Sequence, residues 1–310
     1  MACLRAFGSY LPSRRVSNEE LATLVDATPE WILNATGIEE RRYAAEDETV
    51  DSLGARAAQI CLQRASVAPS ELGVILVASG SSPCFCPGPA AEIAAALGLT
   101  ETPAIDLPVA SCGSLMGLVL GAQLAPAMGK VLVIGTEIMS RCIERTPEGK
   151  DTAILFGDGA GACLIDPAEG FARIADSALH TDGSMAGILR IEQGRIHMDG
   201  GSVILQACRK LPRVLREVLD RNQLEAAAPI VYLLHQANLN LITRVAGSLK
   251  TPTEKFFTNV ARYGNTSSAS LLIAADEWHT AQSEPVRGPI LFSAFGAGLN
   301  WGALLAVAGE

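Results

Sequence analysis

The chain has 310 residues, 49% of them hydrophobic and 18% charged, and its formal net charge is −9. This acidic balance argues against a nucleic-acid-binding protein, which needs a basic face, and no uninterrupted apolar stretch reaches the roughly 18 residues of a membrane span. A chain of this length buries roughly 75% of its unfolded surface, so it needs no disulfide or metal ion to fold. It is long enough for one large domain or two of ordinary size.

The cysteines indicate a reducing compartment. There are eight of them, Cys3, Cys61, Cys84, Cys86, Cys112, Cys142, Cys163 and Cys208, and most lie within apolar segments. Only Cys84 and Cys86 are close together, and no second pair follows at zinc-site spacing. The N-terminus has no apolar run of signal-peptide length. We therefore expect a cytoplasmic protein with reduced thiols and no metal.

Buried strands and helices alternate along the chain. Strands are predicted at residues 3–11, 73–79, 104–111, 130–136, 163–165, 172–180, 230–234, 289–294 and 301–308. Helices are predicted at 18–25, 29–33, 52–65, 88–97, 112–127, 201–221, 238–249 and 266–278, with Asn18 as the N-cap of the first. The segment 156–162 is dense in glycine and is predicted to be a turn. This alternation favours a layered α/β fold.

A faint internal repeat divides the chain. Residues 129–135 followed by 156–165 resemble residues 288–294 followed by 295–305, and each set has the order strand, glycine turn, strand. A connector near Asp166 separates the two sets. We therefore expect two similar halves, 1–166 and 167–310, with a site between them.

Cys112 lies where an apolar strand gives way to a small-residue helix. A helix N-terminus carries about half a positive charge, and such a position lowers the pKa of a thiol, so a nucleophilic cysteine is predicted. The alternative is a buried cysteine that acts as a small hydrophobic side chain.

Three further features accompany this thiol. His235 follows a buried strand, at the end where α/β proteins place their ligands. Asn265 opens a helix, where it is either a helix cap or a site residue. The turn 296–298 can point backbone N–H groups at an oxyanion. A Cys-His-Asn set serves acyl transfer, whereas the glycines at 157–161 lack the strand-to-helix context of a dinucleotide site.

Together, Cys112, the His-Gln-Ala-Asn segment 235–238 and the Gly-Asn-Thr-Ser-Ser-Ala-Ser segment 264–270 resemble the ketoacyl synthase III family of the thiolase fold. Further motifs of that family occur in order, at Trp31, 36–41, 156–162 and 294–302. The resemblance covers essentially the whole chain. It implies a five-layer α-β-α-β-α sandwich of duplicated βαβαβαββ halves, with the cysteine in the first half and the histidine and asparagine in the second.

The resemblance also implies a mechanism. Cys112 would take an acyl group from an acyl thioester, usually acyl-CoA, and a malonyl thioester, usually on acyl carrier protein, would lose CO2 and attack it to give a β-ketoacyl product. His235 and Asn265 would donate hydrogen bonds to the malonyl thioester oxygen. The backbone N–H groups of Cys112 and Ala297 would form the oxyanion hole. The family implies a homodimer and requires no metal or redox cofactor.

Substrate-binding positions depart from the family pattern. Trp31, which in the family stacks on the adenine of CoA, is present, and Lys150 matches a family arginine. Cys86 matches a residue that bounds the acyl pocket across the dimer. The family's basic residues are missing at Ala35, Leu205, Asn240, Gly247 and Ser248, although Arg244 lies one turn from Asn240.

Two explanations remain open for these departures: basic residues supplied from elsewhere, or a changed acyl donor or acceptor. The leading functional hypothesis is a decarboxylating condensing enzyme. The alternatives are an acyltransferase or specialised-metabolite synthase on the same scaffold, and a non-catalytic partner subunit. The complete Cys112, His235 and Asn265 set argues against the last.

Overall fold

The computed structural model describes residues 2–309. The strands are β1 (Cys3–Tyr10), β2 (Arg14–Ser17), β3 (Glu40–Tyr43), β4 (Leu72–Ala78), β5 (Ala104–Leu107), β6 (Lys130–Ile138), β7 (Asp158–Asp166), β8 (Ala172–Thr181), β9 (Leu189–Glu192), β10 (Arg195–Met198), β11 (Val231–Leu234), β12 (Phe256–Phe257), β13 (Gly288–Gly296) and β14 (Asn300–Ala308). The helices are α1 (Asn18–Val25), α2 (Pro29–Thr36), α3 (Val50–Ala65), α4 (Pro89–Ala96), α5 (Gly113–Met128), α6 (Lys150–Ala153), α7 (Gly200–Arg221), α8 (Leu239–Leu249), α9 (Val260–Tyr263) and α10 (Ser270–Thr280).

Ten strands form the central sheet in the order β12-β11-β13-β14-β8-β1-β7-β6-β4-β5. Its two ends repeat one another. In β5-β4-β6-β7-β1 and in β12-β11-β13-β14-β8, the first three strands are parallel and the last two pairings are antiparallel. Within the sheet, the two five-stranded parts are joined by two residue pairs of β1 and β8. This repeated order supports our proposed division into residues 1–166 and 167–310.

Apolar side chains arrange these elements in layers. One core cluster packs α3 and α4 on the outer face of the first five strands, and another packs α7 and α8 on the outer face of the other five. A third cluster encloses α5 and α10 between the two parts. Helix α5 is apolar on all sides because sheet covers both of its faces. The layer order α-β-α-β-α confirms the predicted thiolase-type α/β fold.

One predicted turn is wrong. The segment 156–162 does not turn, because Asp158–Asp166 is one fully buried strand paired with β1 and β6. A Cβ on Gly161 would lie 2.6 Å from the Leu272 Cβ of α10. The glycines therefore mark a close approach of helix and strand rather than a change of chain direction.

Two predicted boundaries also differ. The strand that leads to the nucleophile ends at Leu107 rather than Ser111, because the next residues form a turn. Ser17, not Asn18, caps α1 through its side chain. Asn18 is instead buried, where it accepts a hydrogen bond of 2.7 Å from Arg41.

Two short two-stranded sheets were not predicted: the antiparallel pair β2 and β3, whose strands are separated by α1 and α2, and the hairpin β9–β10. The first is rich in arginine, which hides its strand character. All eight cysteines are free. None of the helices within residues 2–309 is long and apolar enough to cross a membrane.

Candidate active site

A cavity of about 100 Å³ lies between the two halves. From the first half it is lined by Ala110, Ser111, Met139, Leu155 and Phe156, and from the second by the β9–β10 hairpin, α7, His235, Asn265 and Ala297, among others. Most of this wall is apolar. The predicted histidine, asparagine and oxyanion turn therefore meet in one chamber.

Cys112 lies just beneath the floor of that cavity. It stands at the N-cap of α5, as predicted, and its side chain is fully buried. Its Sγ is 3.9 Å from the carbonyl oxygen of Ala294, and Ala294 and Ser111 both line the cavity. The thiol therefore lies next to residues of the cavity wall without lining the cavity itself.

The turn that carries the thiol is tightly constrained. Ser111 has φ +63°, an unusual conformation for a residue other than glycine. Its N–H donates to Ser267 Oγ at 3.0 Å, which joins the two halves. A Cβ on Gly296 would lie 2.3 Å from the Ala110 oxygen and 2.8 Å from the Cys112 nitrogen. Only glycine allows the strand end β13 to come so close to the nucleophile.

The expected lowering of the thiol pKa is wrong for this buried arrangement. Burial raises the pKa of Cys112 to about 12, because the thiolate loses its water. The start of α5 acts in the opposite direction by favouring a negative charge. The resting residue is therefore a protonated thiol.

His235 is held as a neutral imidazole. Burial lowers its pKa to about 4. The Ser270 hydroxyl lies 2.5 Å from Nδ1 and accepts a hydrogen bond from the Gln236 N–H at 3.1 Å. When the Ser270 hydroxyl donates to Nδ1, the ring proton lies on Nε2, and His235 is then a hydrogen-bond donor toward the cavity.

Asn265 is fixed by both its backbone and its side chain. Its N–H donates to Leu155 and its carbonyl accepts from Gly157, which pins it to the first half. Its Oδ1 accepts the Ser267 N–H at 2.9 Å. The NH2 group is therefore the part of the amide that remains free to donate. Asn265 does not cap α10 directly, since a 3-10 turn at Ser267–Ala269 precedes that helix.

The two expected oxyanion donors differ in their surroundings. Ala297 lies in the turn between β13 and β14 and lines the cavity. The Cys112 N–H already donates to the Ala110 carbonyl at 2.7 Å. A substrate oxygen at this position therefore has to share or replace that contact.

The expected substrate-binding residues lie outside the cavity wall. The Lys150 Nζ is 5.6 Å from the ring centroid of Trp31, so these two side chains meet. The Asn240 amide donates to the carbonyls of Asn34 and Ala35 at the end of α2, which leaves its NH2 group occupied. Cys86 is exposed and does not reach the cavity of its own chain.

The sequence analysis missed most of the cavity wall. Leu189, Ile191, Ile196 and Met198 line it from β9 and β10, and Val203 and Ala207 among others line it from α7. Apolar residues alternate on both sides of Gln193-Gly194, and this sequence pattern could have predicted the hairpin. In the structure both turn residues have positive φ. Ser111, Ser267 and Ser270 gave no signal because their roles depend on distant partners. Within residues 2–309 no group of three or more His, Cys, Asp or Glu side chains is placed to hold a metal ion.

Known proteins resemble this chain over nearly its whole length. The family model "3-Oxoacyl-[acyl-carrier-protein (ACP)] synthase III" matches residues 105–183, and the model of the C-terminal part of the same enzyme matches 219–307. The chain is 36% identical over 320 aligned residues to a β-ketoacyl-[acyl-carrier-protein] synthase III of Oleidesulfovibrio alaskensis, covering 96% of each chain.

Solved structures give the same picture. A 3-oxoacyl-[acyl-carrier-protein] synthase III from Aquifex aeolicus superposes with a TM-score of 0.95 at 33% identity, covering 99% of this chain and 100% of that one. The priming β-ketosynthase of the R1128 polyketide pathway superposes with a TM-score of 0.92 at 30% identity, covering 99% and 96%. This chain therefore belongs to the 3-oxoacyl-[acyl-carrier-protein] synthase III family of acyl-transferring enzymes.

Proposed function

We propose that the protein is a carbon–carbon condensing enzyme that forms a β-ketoacyl thioester from an acyl thioester and a malonyl thioester. The observation that carries this proposal is the convergence of His235 and Asn265 on a cavity that Ser111 and Ala294, the neighbours of Cys112, also line. Two neutral donors beside a thiol suit the stabilisation of an enolate and its attack on an acyl-cysteine.

In the first half-reaction the Cys112 sulfur attacks the acyl carbonyl. The new C–S bond forms as the bond between the acyl carbon and the donor's sulfur breaks. The Cys112 proton passes to that departing thiol. One thioester replaces another, so little energy is lost. The buried thiol needs this proton transfer because its pKa is about 12.

In the second half-reaction the malonyl group loses CO2. The negative charge moves onto the thioester oxygen, where the His235 Nε2–H and the Asn265 NH2 donate to it. The enolate carbon then attacks the acyl-cysteine carbonyl, whose oxygen is held by the N–H groups of Cys112 and Ala297. The Cys112 thiolate leaves and takes up a proton. The β-ketoacyl thioester departs, and no step needs an oxidant or a reductant.

We propose acyl-CoA as the acyl donor, with Trp31 and Lys150 near the entrance as contacts for its nucleotide. Trp31 is 40% exposed, so its ring face is available for stacking. Lys150 supplies a positive charge beside it. Asn240 is a weaker candidate because its NH2 group already binds α2.

For the malonyl donor we propose an acidic carrier protein, bound through α7 and α8. Residues 200–216 and 239–253 contain six Lys or Arg and no Asp or Glu, in a chain with a net charge of −9. Arg209, Arg213, Arg216, Arg244 and Lys250 are exposed, and within residues 2–309 none of them has a carboxylate partner. This basic α7/α8 face replaces the basic residues missing at Leu205, Asn240, Gly247 and Ser248.

We also propose a homodimer. Strand β5 lies at the edge of the central sheet with Ile105 43% exposed, and the neighbouring loop presents Phe85 at 79% exposure. An unpaired edge beside exposed apolar side chains favours pairing with a second chain. Cys86 lies in the same loop, so it would approach the partner's acyl pocket.

The test is intact-protein mass spectrometry with a panel of acyl-CoA thioesters, followed by addition of a malonyl thioester. We expect one acyl group per chain, its loss in Cys112→Ala, and release of CO2 with a β-ketoacyl product. Cys163→Ala, which alters an equally buried cysteine on β7, serves as the control and should acylate normally. An unmodified Cys112 with every donor would contradict the proposal.

A second candidate is a specialised-metabolite synthase that passes the acyl group to another acceptor. The similarity to a polyketide priming ketosynthase and the altered entrance favour this candidate. Acylation of Cys112 without CO2 release from any malonyl thioester would support it over the first.

A further inference from the structure

Glu137 is a fully buried carboxylate at the end of β6. Six donor groups surround it: the hydroxyl of Ser79, the N–H of Gly80, the N–H and hydroxyl of Ser81, the hydroxyl of Ser267 and the N–H of Ser268. Within residues 2–309 it has no Lys, Arg or His partner. Burial of a carboxylate is unfavourable unless hydrogen bonds replace its water, and here they come from both halves.

Ser267 connects this carboxylate to the site. Its hydroxyl donates to Glu137 Oε1 at 2.8 Å and accepts the Ser111 N–H at 3.0 Å. Its backbone N–H donates to Asn265 Oδ1 at 2.9 Å. One residue therefore contacts the turn before Cys112, the amide of Asn265 and Glu137.

The direction of these bonds depends on the carboxylate. A hydroxyl has one proton, so donation to Glu137 leaves the Ser267 oxygen free to accept from Ser111. Glu137 also binds Ser268 N–H, which holds Ser267 at its φ of +47°. The carboxylate thus fixes both the rotamer of the Ser267 hydroxyl and the path of its backbone.

We propose that Glu137 is a positioning residue that acts through Ser267 to align the Cys112 turn of one half with the Asn265 amide of the other. This inference rests on the proposed function for its kinetic consequences. It assigns to Glu137 no contact with substrate. It means that the rates of both half-reactions depend on one buried carboxylate.

An amide cannot accept all six of these hydrogen bonds. Three of the groups are backbone N–H donors, and the three serine hydroxyls have to give up their present donation if the NH2 of a glutamine is to find an acceptor. A glutamine at this position therefore loses hydrogen bonds and rotates the hydroxyls. Glu137→Gln therefore keeps the volume and removes the acceptor, and Ser267→Ala removes the connecting hydroxyl alone.

The kinetic experiment measures each half-reaction in a single turnover at saturating substrate, by mass for acylation and by CO2 release for condensation. We expect Glu137→Gln and Ser267→Ala each to slow both half-reactions by about 10- to 100-fold, the loss typical of a misplacement near 1 Å. The KM for acyl-CoA should stay within about threefold, because the entrance is untouched. The double variant should be no slower than the slower single variant, since both act along one path.

The control is Glu48→Gln. Glu48 is also mostly buried and hydrogen bonded, but its partners are Tyr10, Arg56 and the backbone of Ala45, away from the cavity. In Glu48→Gln the rates of both half-reactions should stay within about twofold of those of the unmodified protein. The proposal would be overturned if either single variant reacted within twofold of the unmodified protein. It would also be overturned if the fold-loss of the double variant equalled the product of the two single losses.

Hydrogen exchange separates this inference from the proposed function. The Ser111 amide should exchange at least about tenfold faster in both variants than in the unmodified protein or Glu48→Gln, because its acceptor is lost or rotated. This readout needs no substrate, so it holds even if no acyl-CoA modifies Cys112. If Glu137→Gln does not fold, Ser267→Ala decides the matter, and unchanged Ser111 exchange in a folded variant contradicts the inference.

Discussion

The two halves have one strand order but present different groups at equivalent places. The turn before α5 carries Cys112, and the turn before α10 carries Asn265. The loop after β4 supplies Ser79 and Ser81, whereas β11 leads to His235. Strand β6 ends beside the buried carboxylate of Glu137, and β13 ends at Gly296, where a side chain would strike the Cys112 turn.

This difference separates the repeated topology of the two halves from the side chains that carry the chemistry. The repeated topology places the same strand ends around one cavity, so either half offers positions for polar groups. The side chains at those positions then divide the work. The first half supplies the nucleophile and the buried carboxylate, and the second supplies neutral hydrogen-bond donors and the open turn.

The largest expected effect tests whether the second half serves only condensation. His235→Ala and Asn265→Ala should each slow condensation about 100- to 1,000-fold, because each removes a donor to the enolate oxygen. Acylation of Cys112 should fall far less. His279→Ala, a histidine that packs on Phe171 outside the cavity, is the matched control. Equal rate losses in both half-reactions would contradict the idea that the second half serves only condensation.

The next prediction uses the opposite pKa shifts of the two halves. Cys112 has a pKa raised to about 12, and His235 has one lowered to about 4. Below pH 12 the thiolate fraction grows tenfold per pH unit, so alkylation of Cys112 by iodoacetamide should rise about 100-fold from pH 7 to pH 9. Condensation by pre-acylated enzyme should stay level between about pH 6 and 8, because His235 remains neutral throughout.

Peptide mass spectrometry at Cys112 measures the first rate, and CO2 release measures the second. Cys112→Ala gives the background. A plateau of alkylation below about pH 8 would show that the start of α5 outweighs burial. A condensation rate that falls as the pH drops from 7 to 6 would argue against a neutral His235.

A third prediction concerns the outer helices. On α3 of the first half, Arg56 and Arg64 pair with Glu48 and Asp276. On the basic α7/α8 face only Lys210 has a carboxylate partner within residues 2–309. Arg209→Glu combined with Arg213→Glu should raise the KM for a malonyl carrier protein about tenfold or more, and salt should reduce the difference.

The KM for malonyl-CoA should change less than about threefold in the same variant, since a small substrate does not need the helix face. Arg287→Glu, an exposed arginine before β13, is the control. An equal effect on both malonyl donors would assign these arginines to the substrate entrance instead.

The smallest effect concerns stability. Gly161→Ala on β7 should lower the free energy of unfolding by about 1–3 kcal/mol, because the new methyl group overlaps Leu272 and the Ile273 nitrogen of α10. Gly183→Ala, where no atom lies within 4 Å, is the control and should be nearly neutral. Denaturant unfolding measures both. A neutral Gly161→Ala would show that α10 can move away from β7.

Much of the fold could be predicted because its elements are locally consistent. The strands are continuous apolar runs that suit a sheet covered on both faces. The helices begin and end at ordinary caps, such as Thr28 before α2 and Gly37 after it. The order of the Cys112, His235 and Asn265 motifs identified the family, and the comparisons confirmed it.

The errors came from residues whose conformation depends on a distant neighbour. The glycines of β7 resemble a turn in sequence but are set by the approach of α10. The thiol at the start of α5 suggested a lowered pKa, but the opposite half buries it.

The sequence by itself determined the α/β layers and the family, and it predicted Cys112 as the nucleophile with two partner residues, since each depends on local pattern and chemical type. Only the tertiary structure decided the surroundings of His235 and the place of Glu137. The Ser270 hydroxyl reaches His235 from 35 positions away, and the Ser267 hydroxyl reaches Glu137 and the Ser111 N–H from 130 and 156 positions away. A hydroxyl donates or accepts according to its neighbours, and the neighbours exist only after the two halves have packed.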